Sequence, residues 1–409
     1  RVSPWLQARS ASFAGWLPDG SMLVTTRFGE TDQLHRVAAA LAAREQLTYG
    51  PQVLAATASS APGAAGAVFA TAGSDASTQW QAYRFADRAI VRMAGPAMRM
   101  QSFAWSPDGR YVALPGDAAD GLHRDVVALE PGGIPQARLL VAAGAKSWRP
   151  LDWSPDGARL LLANEAGSQP GELWLADAAT GGITQVATDA PLGRVRVARF
   201  APDGRGIYLV ARIEGDFAQL HYLDPVANTR RSLTAATPWD IEEFAVSPDG
   251  RYVASVANVA GASRLSVRDQ VAGSEIVPAG LPQGRISDLA FDRAGRRLAL
   301  TAEGATQAPD AYVYEPATNA LTRWTRSEPG PVDPAAFVAP ELIGFPTWDR
   351  VGGSTRTLPA WVYRPRTPGP HPVLVSIASV RGEQARPLFD AFTLIAVNVL
   401  GFAVVVPNV

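Results

Sequence analysis

The 409-residue sequence contains no cysteine, which excludes disulfide bonds and thiolate chemistry from its folding and function. Histidine is scarce: the four histidines are scattered without metal-ligand spacing, so we expect no metal ion and no other cofactor. The formal net charge is -1, which gives no electrostatic reason to expect a nucleic-acid partner. No run of about 18 apolar residues occurs, so we expect no membrane span. These absences leave the bacterial cytoplasm and periplasm equally open.

A short turn motif recurs along most of the chain. Its clearest copy, Trp105–Arg110, reads Trp-Ser-Pro-Asp-Gly-Arg. Proline presets φ at the first corner, aspartate bonds to nearby backbone, and glycine accepts the positive φ that other residues resist. Such a turn between two apolar runs predicts a tight antiparallel hairpin. The remaining copies have their proline, or the residue at its position, at Pro18, Pro155, Pro202, Pro248 and Arg293.

The spacing of the copies predicts the fold. From Pro107 to Arg293 the steps are 48, 47, 46 and 45 residues, and Ala61-Pro62-Gly63 divides the longer first gap into 44 and 45. Seven units of this period are typical of four-stranded propeller blades. We therefore predict an all-β seven-bladed β-propeller over residues 1–327, including a lead-in strand at its start.

The pattern changes after residue 327. A proline-rich linker over residues 328–340 is followed by apolar strands, a helix predicted over 388–400 and a further apolar strand over 402–406. Strands that are continuously apolar and are separated by a helix predict a parallel α/β sheet. Because so few elements cannot cover both faces of such a sheet, residues 341–409 are expected to be the opening portion of an incomplete α/β domain.

These features together resemble a known family. Propeller units with the Ser-Pro-Asp-Gly-Arg turn, followed by Leu358–Pro365 and Pro370–Val375, resemble bacterial serine peptidases of the prolyl oligopeptidase family. Gln384–Pro387 and Pro407–Val409 look like further early segments of its hydrolase domain. The resemblance implies a propeller that caps an α/β-hydrolase domain and admits short or N-blocked peptides to a Ser-Asp-His triad.

The sequence departs from that family in two places. No Gly-x-Ser-x-Gly nucleophile elbow occurs in residues 1–409, so we expect the triad beyond Val409 and no activity from this chain alone. The missing C-terminal hydrolase portion is thus an expected partner, either covalent or associated. The counterpart of the family's oxyanion loop is Ala378, Ser379, Val380 and Arg381. Side chains there replace the glycines that let backbone N–H groups approach an oxyanion.

Two charged pairs are candidates for binding a peptide in the channel of the propeller. Glu242 and Glu243 begin the innermost strand of the sixth unit and could hold an ammonium group, as a propeller glutamate pair does in dipeptidyl peptidases of the family. Because successive side chains of a strand point to opposite faces, one of the two glutamates should point into the blade. The alternative interpretation is that both are solvent-exposed residues at the start of a strand, without a binding role. Arg194 and Arg196, with Arg199, are predicted on the first strand of the fifth unit, where they could bind a carboxylate or form ion pairs between blades.

The histidines carry no chemistry that the sequence can identify. None has a partner at a recognisable catalytic spacing, so we expect structural roles for all four. They are His35, His123, His221 and His371.

Two functions are compatible with the sequence. The first is the substrate-gating propeller portion of a peptidase that hydrolyses short or N-blocked peptides. The second is a non-catalytic propeller of the TolB-like kind, a binding or scaffold module with a vestigial hydrolase segment packed beneath it. The oligomeric state stays open in both cases. A Gly-x-Ser-x-Gly sequence encoded after Val409 would favour the enzyme, whereas a stop codon there would favour the binding module.

Overall fold

The structure is a computed structural model that describes residues 8–72, 78–93, 103–118, 120, 122–132, 137–165, 171–186, 192–330, 332–377 and 384–408. The described residues are nearly all β and form eight four-stranded sheets. Within the described residues, no helix is long and apolar enough to cross a membrane.

Between Ala11 and Arg323 the described residues form seven antiparallel sheets, each made of four strands that are consecutive in the chain. Sheet 1 contains β1 (Ala11–Trp16), β2 (Met22–Thr26), β3 (Gln33–Val37) and β4 (Arg44–Gln46). Sheet 2 contains β5 (Val53–Ala58), β6 (Gly66–Ala72), β7 (Thr78–Arg84) and β8 (Ile90–Arg92). Sheet 3 contains β9 (Ala104–Trp105), β10 (Val112–Asp117), β11 (Arg124–Leu129) and β12 (Arg138–Val141).

The remaining four sheets of this group repeat the same order. Sheet 4 contains β13 (Trp148–Trp153), β14 (Arg159–Asn164), β15 (Glu172–Asp177) and β16 (Ile183–Gln185). Sheet 5 contains β17 (Val197–Phe200), β18 (Ile207–Ala211), β19 (Gln219–Asp224) and β20 (Thr229–Ser232). Sheet 6 contains β21 (Ile241–Val246), β22 (Tyr252–Val259), β23 (Ala262–Asp269) and β24 (Ser274–Ile276). Sheet 7 contains β25 (Gly284–Phe291), β26 (Leu298–Gly304), β27 (Gln307–Glu315) and β28 (Ala320–Arg323).

The core of this region lies between neighbouring sheets. One buried apolar cluster occupies each junction, from sheets 1 and 2 through to sheets 6 and 7. A further cluster joins Trp16 and Met22 of sheet 1 to Val313 of sheet 7, so the described sheets form a closed ring. Burial of large apolar side chains at every junction stabilises the ring, since each such side chain contributes about 1.5–3 kcal/mol.

The recurring motif forms the turn between the first and second strands, as predicted. In the third copy Gly109 N–H donates to the Ser106 carbonyl (2.8 Å), and the Ser106 hydroxyl donates to Asp108 Oδ1 (2.5 Å). Gly109 has φ +67°, the left-handed conformation that glycine accepts without strain. The aromatic residue before the turn is a wedge between sheets: Trp153 Nε1–H donates to the carbonyl of Ala104 in the preceding sheet (2.9 Å).

The turn that replaces the motif in sheet 2 lies where the spacing predicts. Ala64 N–H donates to the Ala61 carbonyl (3.1 Å) between β5 and β6. This turn also contacts the next copy, because a Cβ at Gly109 would lie 2.9 Å from the Ala61 Cβ.

Sheet 8 lies in the C-terminal segment, residues 341–408, and differs from the others. Its strands are β29 (Glu341–Val351), β30 (Ser354–Tyr363), β31 (Val373–Val375) and β32 (Ala403–Pro407), in the order β29-β30-β32-β31. β31 and β32 are parallel, and helix α1 (Ala391–Asn398) connects them. The helix begins later than predicted because the Asp390 side chain caps it, accepting from Thr393 N–H (2.8 Å). Gly401, with φ +74°, follows its end.

The C-terminal segment packs on one face of the ring. A buried cluster joins its Trp361 and Ala385 to Ala305 of sheet 7, with Ala262 of sheet 6 beside it. The approach is close, since a Cβ at Gly261 would lie 2.5 Å from the Ala385 carbonyl oxygen. These contacts are made by the turns between the second and third strands of sheets 6 and 7. Because successive antiparallel strands reverse direction, such turns lie on the face opposite the Pro-Asp-Gly turns.

Candidate functional site

A channel cavity of about 910 Å³ lies at the centre of the ring. Its walls come mainly from the first strand of the sheets, including Ser12 of β1, Ala56 of β5 and Leu151 of β13. Charged side chains also face it, with both signs present. These are Asp32, Arg149, Arg196, Arg199, Glu243, Arg285 and Asp288.

The structure separates the two adjacent glutamates. Glu243 lines the channel and accepts from the backbone N–H groups of Asp288 (3.1 Å) and Leu289 (2.7 Å) in the next sheet. The β25–β26 register shifts between Ser287 and Ala290, so the bulge leaves these N–H groups without ladder partners and Glu243 satisfies them.

Glu242 points instead toward the C-terminal segment. It forms an ion pair with Arg386 and accepts from Asn258 Nδ2 (3.1 Å). The two carboxylates therefore do not converge on one ligand. Glu242 binds the C-terminal segment, whereas Glu243 binds backbone N–H groups at the channel wall.

Three carboxyl groups in or next to the channel have raised pKa values: Glu243 and Asp288 line it, and Asp152 follows the lining residue Leu151. Burial, with the nearby Asp288 carboxylate, raises the pKa of Glu243 to about 7. Burial raises the pKa of Asp152 to about 6, against the opposing effects of Arg199 and the Phe200 N–H. Burial also raises the pKa of Asp288. The carboxyl groups of Glu243 and Asp152 therefore titrate closer to neutral pH than an ordinary carboxyl group does.

The arginine cluster is placed differently from the prediction. Strand β17 begins at Val197, so Arg194 and Arg196 precede it instead of sharing one of its faces, which corrects the predicted strand placement. Arg196 forms an ion pair with Asp240 (3.0 Å), and Arg199 donates to the Leu151 carbonyl of sheet 4 (2.6 Å). Two of the three therefore link neighbouring sheets. Arg194 and Arg196 also line a second cavity of about 680 Å³.

Two of the four histidines are buried in the third strand of a sheet, His35 in β3 and His221 in β19. His371 Nε2 lies 2.9 Å from the Thr367 carbonyl oxygen. His123 Nδ1 lies 2.5 Å from Asp120 Oδ2 in a surface turn. Within the described ranges, no group of three or more His, Asp and Glu side chains could hold a metal ion.

Sequence reasoning missed several charged residues in and near the two cavities. Arg149 and Asp288 line the channel, Arg212 lines the second cavity, and Asp152 follows the channel-lining Leu151; none of them belongs to a motif. For Asp152 a signal was present, since it directly precedes the repeated wedge Trp153 on a first strand. The predicted counterparts of the oxyanion loop, Ala378, Ser379, Val380 and Arg381, lie outside the described residues.

Comparison with known proteins places this geometry in a class. No protein-family profile matches the sequence, and no curated protein matches it. Solved structures do match. A prolyl endopeptidase from a study of inter-domain dynamics is 11% identical with a TM-score of 0.79, and the match covers 100% of this chain and 62% of that one. Prolyl oligopeptidase B from Galerina marginata, bound to a 35-residue substrate, is 13% identical with a TM-score of 0.78, covering 100% and 62%.

Puromycin hydrolase gives a similar result, at 18% identity and a TM-score of 0.77, with 100% of this chain and 67% of that one covered. The ring of antiparallel sheets is therefore a β-propeller of the kind found in prolyl oligopeptidases. The resemblance noted in the sequence is confirmed at the level of the fold, and this chain spans about 62–67% of the length of these structures.

Proposed function

We propose that this chain is the substrate-gating propeller portion of a prolyl-oligopeptidase-type serine peptidase that hydrolyses short or N-blocked peptides. In this proposal sheets 1–7 are seven blades, and residues 341–409 are the opening portion of an α/β-hydrolase domain. The observation that carries it is the docking of a parallel strand–helix–strand unit beside the channel. Glu242 binds that unit through Arg386, and the adjacent Glu243 lines the channel.

The surface of the C-terminal segment supports an incomplete hydrolase sheet. β31 is an edge strand, yet Val373 is 60% exposed and Val375 55% exposed. On the same segment Phe392 is 60% exposed. The backbone of an open edge strand can pair with a further strand, and exposed apolar side chains on such a strand are normally covered by further elements. In our proposal those elements belong to the rest of the hydrolase domain, which supplies the catalytic groups.

The channel is suited to gating. A volume of about 910 Å³ is within the range of about 300–1,000 Å³ that holds small ligands, so the walls would exclude a folded protein and admit a short peptide. The channel is lined by acidic side chains, basic side chains and backbone groups. These groups can form hydrogen bonds with a peptide main chain, and they do not favour a strongly apolar ligand.

The test uses the 409-residue chain and two measurements. A fluorophosphonate probe reports a reactive serine, and calorimetry reports binding of free and N-acetylated tetra-alanine. We expect no labelling and measurable peptide binding. Labelling of this chain, or a folded chain that binds neither peptide, would contradict the proposal.

A matched pair of variants locates the binding. Ser12→Trp places an indole on a channel-lining strand, whereas Thr184→Trp places it on the exposed outer strand of sheet 4. We expect the first to weaken peptide binding and the second to leave it unchanged. Equal binding by both variants would remove the channel from the proposal.

A further inference from the structure

A second cavity of about 680 Å³ lies beside the channel and is lined by residues of sheets 4 and 5 and of the segments next to their strands. It shares Arg149 and Arg196 with the channel lining, so the two cavities are adjacent. Four of its lining side chains are arginines and one, Glu165, is acidic. The described wall therefore carries an excess of positive charge.

The cavity lies on the face of the ring that meets the C-terminal segment. Glu165 follows β14, and Arg212 follows β18, so both lie where the second strand of a sheet leads to the third. The corresponding turns of sheets 6 and 7 contact the C-terminal segment. A group bound in the cavity would thus sit at the mouth of the channel on its hydrolase side.

Two of the four arginines are already neutralised. Arg149 forms an ion pair with Glu165 (2.6 Å), and its Nη2 donates to the Val195 carbonyl (2.9 Å). Arg196 forms an ion pair with Asp240 (3.0 Å). Arg194 and Arg212 are exposed and form no ion pair with any residue in the described part of the chain.

The backbone brings the chain segments that carry these two arginines close together, and both arginines line the same cavity. Gly193 N–H donates to the Arg212 carbonyl (3.0 Å), and a Cβ on Gly193 would lie 2.2 Å from that oxygen. The chain next to Arg194 can approach Arg212 this closely because residue 193 has no side chain. The arginines also affect one another: burial chiefly lowers the pKa of Arg149, and the positive charge of Arg194 lowers it further.

We infer that Arg194 and Arg212 form a carboxylate-binding site at the mouth of the channel, which takes the C-terminal carboxylate or an acidic side chain of a peptide. Two guanidinium groups can each offer paired N–H donors to the oxygens of a carboxylate. The inference rests on the proposed function, because it names the substrate class that the channel selects. Arg149 and Arg196 position the wall, and their own partners keep them from competing for the ligand.

The experiment compares three peptide probes on the 409-residue chain by calorimetry. They are tetra-alanine with a free C-terminus, tetra-alanine amide, and N-acetylated Ala-Glu-Ala-Ala amide, whose single carboxylate is on a side chain. We expect at least one carboxylate probe to bind about tenfold more tightly than tetra-alanine amide, which has no carboxylate, and the difference to shrink as salt is raised. The probe that binds better identifies the source of the carboxylate.

The double variant Arg194→Ala/Arg212→Ala should lose that tenfold preference while its binding of the amide is unchanged. The matched control is Arg205→Ala/Arg293→Ala, which removes the same charge from exposed turns on the opposite face and should keep the preference. Arg194→Gln alone, which retains most of the side-chain volume, serves if the double variant is unstable, and it should lose part of the preference.

The outcomes separate this inference from the proposed function. If all three probes bind alike, or if the double variant keeps the preference, the carboxylate site is wrong while the peptide channel stands. If the folded native chain binds none of the three probes, both proposals fail.

Discussion

Glu242 of sheet 6 and Arg386 of the C-terminal segment, 144 residues apart in the chain, form an ion pair at the junction between the ring and sheet 8. Arg386 also contacts Ser263, and Asn258 binds both Glu242 and Gln384, so a polar network surrounds the pair. The next residue, Glu243, faces the channel. Of these two consecutive residues, one therefore binds the C-terminal segment and the other lines the channel.

Breaking this pair should loosen the C-terminal segment. Glu242→Gln leaves the Arg386 charge, which is largely buried at the junction, without its partner, and we expect a loss of about 1–3 kcal/mol in docking free energy. Hydrogen exchange should increase in β30 and α1 but not in sheet 3. Glu130→Gln, which breaks the exposed pair with Arg110 (2.8 Å), is the control and should cost less than about 1 kcal/mol. Equal protection of β30 in both variants would contradict a docking role.

Glu243 should make the protein less stable as the pH rises. Its pKa is about 7 in the folded chain and near 4.5 ordinarily, so the unfolded chain loses this proton first. The stabilisation is therefore complete below pH 4.5 and is lost as the pH rises to about 7. The raised pKa of Asp152, about 6, acts in the same direction at the lower end of this window.

The measurement is urea unfolding between pH 4 and 8. Glu243→Gln should flatten the decline between about pH 5 and 7, by an amount on the order of 1–3 kcal/mol. Asp177→Asn, in an exposed turn where hydrogen bonds from Thr180 and Ala179 lower the pKa, should leave that part of the curve unchanged. A Glu243→Gln curve parallel to that of the native chain would show that this carboxyl does not titrate there.

Two glycines in equivalent turns should differ in their tolerance of alanine. Gly250 has φ +73° with open space around it, so Gly250→Ala should cost about 1–2 kcal/mol for the backbone conformation alone. Gly109 has a similar φ, but a Cβ there would lie 2.9 Å from the Ala61 Cβ of sheet 2. Gly109→Ala should therefore cost about 1–3 kcal/mol more, measured by urea unfolding. Equal costs would mean that sheets 2 and 3 separate easily at this turn.

The wedge tryptophans should contribute unequally to the junctions. Trp153→Phe removes a buried hydrogen bond to the Ala104 carbonyl (2.9 Å) and should cost about 1–3 kcal/mol. Trp105→Phe removes the bond to the Thr57 hydroxyl (3.1 Å), which solvent can replace in part, and should cost less. Thermal unfolding of the two variants compares them. A larger loss of stability in Trp105→Phe than in Trp153→Phe would contradict the prediction that the Trp153 hydrogen bond contributes more.

The sequence by itself determined the repeat. Proline, aspartate and glycine act through their own backbone preferences, so the turn at Ser106–Tyr111 and its copies could be located from residue types alone. Their regular spacing placed even the atypical turn near Ala61. The strand–helix–strand order after residue 370 could also be predicted from the sequence, because continuous apolar runs and a helix with a capping residue are local signals.

The tertiary structure decided which side chains face the channel and what they do there. Strand alternation separated Glu242 from Glu243, but bulges such as the one near Asp288 change the register and expose N–H groups that a distant carboxylate must satisfy. Arg194 and Arg212 are 18 positions apart and line one cavity, where the glycine at 193 lets the two backbone segments approach closely. Burial and charge at these sites depend on neighbours from other sheets, and no local pattern in the chain encodes those neighbours.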